Sequence, residues 1–140
     1  MTPVDQSKLH NVLDGVRGNC FAACLASILD VKINDVPAFE DMHPGVQWQE
    51  IRRYLKARGW CIISVRVADG GPLNLDEFYI GTGPSPREVL HSVVMRGAEM
   101  LHDPHPSRAG VASLEWAHVP MPLPENMIRA RLGLTNGASR

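Results

Sequence analysis

Cys20, in the stretch "GNCFAACLASIL", and the histidines and acid of "HSVVMRGAEMLHDPHP" (residues 91–106) are the side chains best suited to covalent chemistry in this chain. A thiol becomes a useful nucleophile where its thiolate is stabilised, a base lies within hydrogen-bond reach, and a third group fixes the base's tautomer. Gly18 allows a sharp turn, Asn19 is a good N-cap residue, and the alanines and leucines after Cys20 are strong helix formers. Cys20 is therefore expected in the first turn of a helix, where unpaired N–H groups and the positive end of the dipole lower a thiol's pKa. His91 opens one strand-like run and Asp103 closes the next. A tight hairpin at Arg96-Gly97-Ala98-Glu99 would bring those two ends side by side. The expected roles are Cys20 as nucleophile, His91 as base and Asp103 as orienting carboxylate.

The elements that must hold these residues follow from periodicity. "GNCFAACLASILDV" is apolar nearly all round, which places its helix in the core. "NDVPAFEDM" reads as a turn or short helix from Asn34. "WQEIRRYLKARG" is a second helix, with Trp48, Ile51, Tyr54 and Leu55 on one face, its basic residues outside, and Gly59 as its stop. Beyond it the period changes to that of strands: Trp60–Val67, Glu77–Ile80, His91–Arg96, Glu99–Asp103, and a fifth candidate at Trp116–Met121. Helices first and an antiparallel sheet afterwards predict an α+β domain.

Length and charge narrow the setting. A chain of 140 residues makes about one domain, assigned to residues 1–123, with 124–140 as a C-terminal arm: a short helix over 124–132, then a disordered "TNGASR" tail. Fourteen basic and fifteen acidic side chains exert no net pull towards nucleic acid or an anionic membrane. "MTPVDQSKLH" lacks the apolar region of a signal peptide and no apolar run is long enough to span a bilayer, so a cytoplasmic location is expected. Three cysteines in a reducing compartment argue against a disulfide framework. Oligomeric state is left open.

"GNCFAACLASIL", then "HSVVM", then "HDPHP" together resemble the papain-like cysteine peptidases. The closest resemblance is to the compact branch related to the bacteriocin-processing, double-glycine-leader peptidases, in a short stand-alone form like those of bacteria and their phages. In that branch a cysteine begins the central helix, a histidine begins an "H-x-V-V" strand, and an Asp-Pro pair follows on the next strand. The resemblance spans roughly residues 2–121 and implies a papain-like fold and a peptide or amide hydrolase using Cys20, His91 and Asp103. It also implies a glutamine six residues before the cysteine as oxyanion donor, but that position is Asp14, whose charge would repel a developing oxyanion. Gln6 is the best substitute if the segment up to Gly18 bulges, with Asn19 and Asn11 as poorer ones. Without such a donor, a papain-like module that binds a peptide or host protein is the rival reading.

Each residue also has a structural reading. Cys20 alone is a small core side chain, His91 a satisfied core histidine, and Asp103 an acceptor in the turn that Pro104 starts. Cys24 and Cys61 are expected in the core, and Trp48 and Trp116 are given no site role. "C-F-A-A-C" with "H-D-P-H" supplies the ligand types of a zinc site, and His118 lies further along the chain. The cysteines sit on a buried helix and Pro104 keeps His102 and His105 off a shared helix face, so neither metal nor cofactor is assigned. His102 is expected on the opposite face from Asp103, at the surface or rim. "YIGTGPSP" reads as a turn-forming loop overhanging the cleft, which makes Gly83 and Ser85 candidates for substrate selection, together with His105.

Overall fold

The computed structural model describes residues 1–125 together with 129 and 133. Helix α1 (Cys20–Leu29) and helix α2 (Pro44–Ala57) precede strands β1 (Trp60–Arg66), β2 (Phe78–Pro84), β3 (Leu90–Arg96), β4 (Glu99–His102) and β5 (Trp116–Pro122). Two 3₁₀ turns, Ile33–Asp35 and Phe39–Asp41, carry the chain between the helices. The strands form one antiparallel sheet in the order β1-β5-β2-β3-β4, so the last strand inserts between the first and second. The expected α+β class, helices first and antiparallel sheet after, is the one observed. The arm helix and tail expected over 124–140 fall almost wholly outside the described residues.

α1 is the buried helix of the fold, with every residue from Ala22 to Ile28 buried. It packs with Ile51 and Leu55 of α2 against Ile62, Ile80 and Val94 on one face of the sheet. The opposite face is covered by loop residues: Tyr79, Val93, Met95 and Ala117 meet Leu114, Leu73 and Val111. Burial on both faces explains why β2 and β3 read as nearly continuous apolar runs instead of alternating ones.

Three elements differ from expectation. α2 begins at Pro44, one turn before Trp48, because proline is well suited to the first helical position and His43 Nδ1 accepts from the Gly45 N–H at 2.9 Å. "GTGP", expected as an overhanging loop, is instead the second half of β2, paired with both β3 and β5. Its glycines serve close packing: a Cβ on Gly83 would lie 1.8 Å from the Ser113 carbonyl oxygen, and one on Gly81 would lie 2.7 Å from the Leu114 side chain. Asn19 precedes α1 but its side chain makes no capping bond. The amide is taken by the N-terminal segment, accepting from the N–H groups of Ser7 and Lys8 and donating to Ser7 Oγ.

Candidate active site

Three segments converge at the start of α1. Cys20 is its first residue, half-buried, and β3 runs past it carrying His91 and Ser92. The two-residue turn at Gly97-Ala98, with Gly97 at φ +57°, folds β4 back so that Asp103 lies beside His91. His91 Nε2 and Asp103 Oδ1 are 2.7 Å apart, and both residues are buried. A carboxylate only accepts, so Nε2 carries the proton and Nδ1 is left as the basic nitrogen.

Both oxygens of Asp103 accept hydrogen bonds. Besides the His91 ring it receives the N–H of His105 on Oδ1 at 2.8 Å and the N–H of Gly110 on Oδ2 at 2.7 Å. Burial by itself raises a carboxyl pKa, but the bonds from His91, His105 and Gly110 outweigh it and hold the acid below its ordinary value. The residue is therefore an ionised, immobile anchor for the imidazole.

Hydrogen bonding from the backbone and hydroxyl of Ser92, and from the backbone at Phe21 and Cys20, favours the Cys20 thiolate. The expectation of a lowered thiol pKa is overturned here. Burial pushes the thiol up, and these hydrogen bonds offset that only in part. The helix-end donors are where the sequence placed them, but loss of hydration at this half-buried position is the larger effect.

The N-terminal segment delivers the third group. Thr2 N–H donates to the Ser27 carbonyl, Val4 N–H to Ser27 Oγ, and Gln6 N–H to the Pro104 carbonyl, so the chain runs along α1 towards its first turn. Residues 7–18 then loop outward, pinched by a bridge between Asn11 and Val16. The bulge leaves Gln6, Cys20, His91 and His105 bordering one cavity. Gln6 Nε2 donates to the Lys8 carbonyl at 2.8 Å, which leaves its second N–H unused, and Oε1 is buried without a partner. Gly18 makes room for this amide, since a Cβ there would lie 3.2 Å from Gln6 Nε2. Asp14 is exposed at the tip of the bulge, accepts from Asn11 Nδ2, and borders neither cavity that reaches Cys20.

Several expected site residues are placed otherwise. Gly83 and Ser85 are buried and border neither cavity: Gly83 is pressed against Ser113, and Ser85 Oγ accepts from the Arg87 N–H in the β2–β3 turn. Asn19 borders the aromatic-walled cavity and not the one that holds His91; its oxygen is taken by the Ser7 and Lys8 N–H groups and one of its two N–H groups by Ser7 Oγ. His102 is not a rim residue, being held beneath the N-terminal segment by the Val4 carbonyl at 3.0 Å and by Asp5 at 3.2 Å. Cys24 is fully buried, whereas Cys61 is only half-buried on the edge strand β1. Among the described residues no group of three or more His, Cys, Asp or Glu side chains is placed to hold a metal ion.

Other contributors were not anticipated. Arg108 spans from both Asp5 oxygens to the Asp103 carbonyl and so ties the N-terminal segment to the acid's loop. Trp48, Trp116 and His118 wall a second cavity on Cys20. Only their aromatic character was visible in the sequence, since they come from α2 and β5, which meet solely in the tertiary structure. No helix among the described residues is long and apolar enough to cross a membrane. Scans of family models, curated proteins and solved structures returned no match to this chain.

Proposed function

We propose that this chain is a papain-like cysteine hydrolase acting on a peptide or other amide, with Cys20 as nucleophile, His91 as base and acid, Asp103 as orienting carboxylate and Gln6 as an oxyanion donor. The observation that carries this reading is the convergence of Gln6, Cys20 and His91 on one cavity, with His91 locked by a buried carboxylate. The bulge over 7–18 supports Gln6 in that role over Asp14, since Gln6 borders the cavity and Asp14 does not.

The steps follow from these positions. As the Cys20 sulfur bonds to the carbonyl carbon, its proton passes to His91 Nδ1, and Asp103 stabilises the imidazolium. The former carbonyl oxygen takes up negative charge, met by the free Gln6 N–H and the Cys20 backbone N–H. Collapse breaks the C–N bond, and the amine leaves with the proton from His91. Water then adds to the thioester, giving its proton to His91. The S–C bond breaks, and the proton returns to sulfur. A thiol that starts protonated suits this order, in which His91 acts as the thiol attacks.

One observation favours a second reading, a binding module without catalysis: burial keeps the Cys20 thiol above its ordinary pKa. The two readings separate on turnover of a mixed library of fluorogenic peptide and acyl amides by wild type, Cys20→Ala and His91→Ala. Hydrolysis by the wild type alone supports the enzyme, and equal background in all three supports the module.

A further inference from the structure

Cys20 borders two cavities of different character. One, about 720 Å³, is bordered by Gln6, Arg17, Arg87, His91 and His105. The other, about 550 Å³, is walled by Phe21, Trp48, Trp116 and His118, and Ser64 also borders it. His91 touches the first and not the second. This asymmetry assigns the two ends of a substrate. The leaving nitrogen must receive its proton from His91, so the amine half occupies the cavity that His91 borders and the acyl half extends from Cys20 into the other.

We infer that the aromatic-walled cavity is the acyl-side recognition pocket of this enzyme and that it selects a flat, uncharged aromatic group on the substrate's acyl half. The inference rests on the cysteine-hydrolase reading. Phe21 and Trp48 meet edge to face with centroids 5.6 Å apart, Trp48 and His118 are 5.0 Å apart, and Trp116 stacks on His118 at 7°. The wall is thus built of rings set both edge-on and stacked, the geometries aromatic pairs prefer and that an incoming ring can extend. The volume lies within the range of small-molecule sites and exceeds that of one aromatic side chain. Ser64 Oγ bonds His118 Nδ1 at 2.8 Å, leaving Nε2 for a phenol or indole polar atom. Burial keeps that imidazole neutral at physiological pH. Of the charged residues bordering the cavity, Glu40 is paired with Lys8, and Arg52 is exposed with its guanidinium over the Trp48 ring at 5.6 Å. Arg52 marks the competing occupant, an acidic side chain.

The test uses full-length Cys20→Ala protein, in which binding is read without turnover. N-acetyl amides of phenylalanine, tyrosine, leucine and aspartate are titrated by tryptophan fluorescence and confirmed by protein NMR. The expected result is binding of the two aromatic amides tighter than the other two by on the order of tenfold. The advantage should disappear when Trp48→Leu or Trp116→Leu is added. Equal binding, a preference for leucine or aspartate, or no binding at all overturns the inference, and none of these needs a pocket variant to fold. His91-dependent alkylation of Cys20, measured in parallel on wild type, separates the two failures. If it persists while the aromatic preference is missing, the pocket assignment alone is wrong. If it is absent, the hydrolase reading falls and the pocket assignment with it.

Discussion

The backbone N–H of Gln6 donates to the carbonyl of Pro104 at 3.1 Å, fastening the proposed oxyanion donor to the residue that follows the orienting carboxylate. Around this bond Arg108 joins both oxygens of Asp5 to the Asp103 carbonyl, and His102 bonds the Val4 carbonyl. The two halves of the site, 97 positions apart in sequence at Gln6 and Asp103, are thereby tied together.

Arg108 is accordingly a positioning residue. Arg108→Met should lower kcat by about tenfold through a loosened Gln6, with KM and melting temperature little changed, because misplacement well under 1 Å is felt at a reacting centre. Arg108→Lys should recover only part of the loss, since one ammonium cannot reproduce the planar fork that holds both Asp5 oxygens. Full activity in Arg108→Met would show that the clasp has no part in positioning.

Gln6→Ala should reduce kcat by roughly 10²–10³-fold, the usual cost of one oxyanion donor. Alkylation of Cys20 should be unaffected, because Gln6 acts on the oxygen of a bound substrate and not on the sulfur. Parallel losses in alkylation and turnover would instead place Gln6 in the activation of the thiol.

Burial depresses His118 to about 4. The unfolded chain, with a histidine near 6.5, binds the extra proton first, so stability from this residue is fully present above about 6.5 and is lost as pH falls towards 4. The shift corresponds to about 3 kcal/mol between those limits. His118→Phe should reduce the fall in melting temperature across this window, in which Asp103 adds no slope: its lowered folded pKa leaves its stability fully present above the ordinary carboxylate value and lost only below it. An unchanged pH slope in His118→Phe would mean that the imidazole is hydrated in the folded protein.

Gly83→Ala should be among the most damaging single-methyl additions. The new Cβ would meet the Ser113 carbonyl oxygen at 1.8 Å, a backbone atom that cannot swing aside. A loss on the order of 1–3 kcal/mol or more is expected from overpacking, read as a fall in the urea midpoint. A neutral result would show that the 113–114 segment moves freely off the sheet.

What the sequence revealed and what it hid divide along local and non-local lines. The start of α1 at Cys20, the turn at Gly97 and the adjacency of His91 with Asp103 are fixed by residues close together in the chain, and all were legible. Asn19 was misread because its competing partners, Ser7 and Lys8, approach from a separate segment. "GTGP" mimics a loop because its glycines answer the close approach of Ser113 and Leu114, thirty residues on. His102 was assigned to the rim because strand alternation cannot show that residues 4 and 5 cover it. The thiol's upward shift was missed for the same reason: helix-end donors are visible in sequence, whereas the depth of burial is a property of the whole fold.

The most direct test of the central claim is the rate of Cys20 alkylation by iodoacetamide across pH, followed site by site by mass spectrometry in wild type and His91→Ala. With the thiol raised by burial, reactivity near neutral pH has to come through His91. Wild-type Cys20 should therefore react faster than Cys24 and Cys61 near pH 7, and His91→Ala should slow it by at least about tenfold. In that variant the reactivity near pH 7 should be lost and only the rise at the pH of a buried thiol should remain, with melting unchanged. Identical Cys20 profiles in the two folded proteins would contradict the account, leaving the thiol as a buried side chain and the cleft as a binding surface.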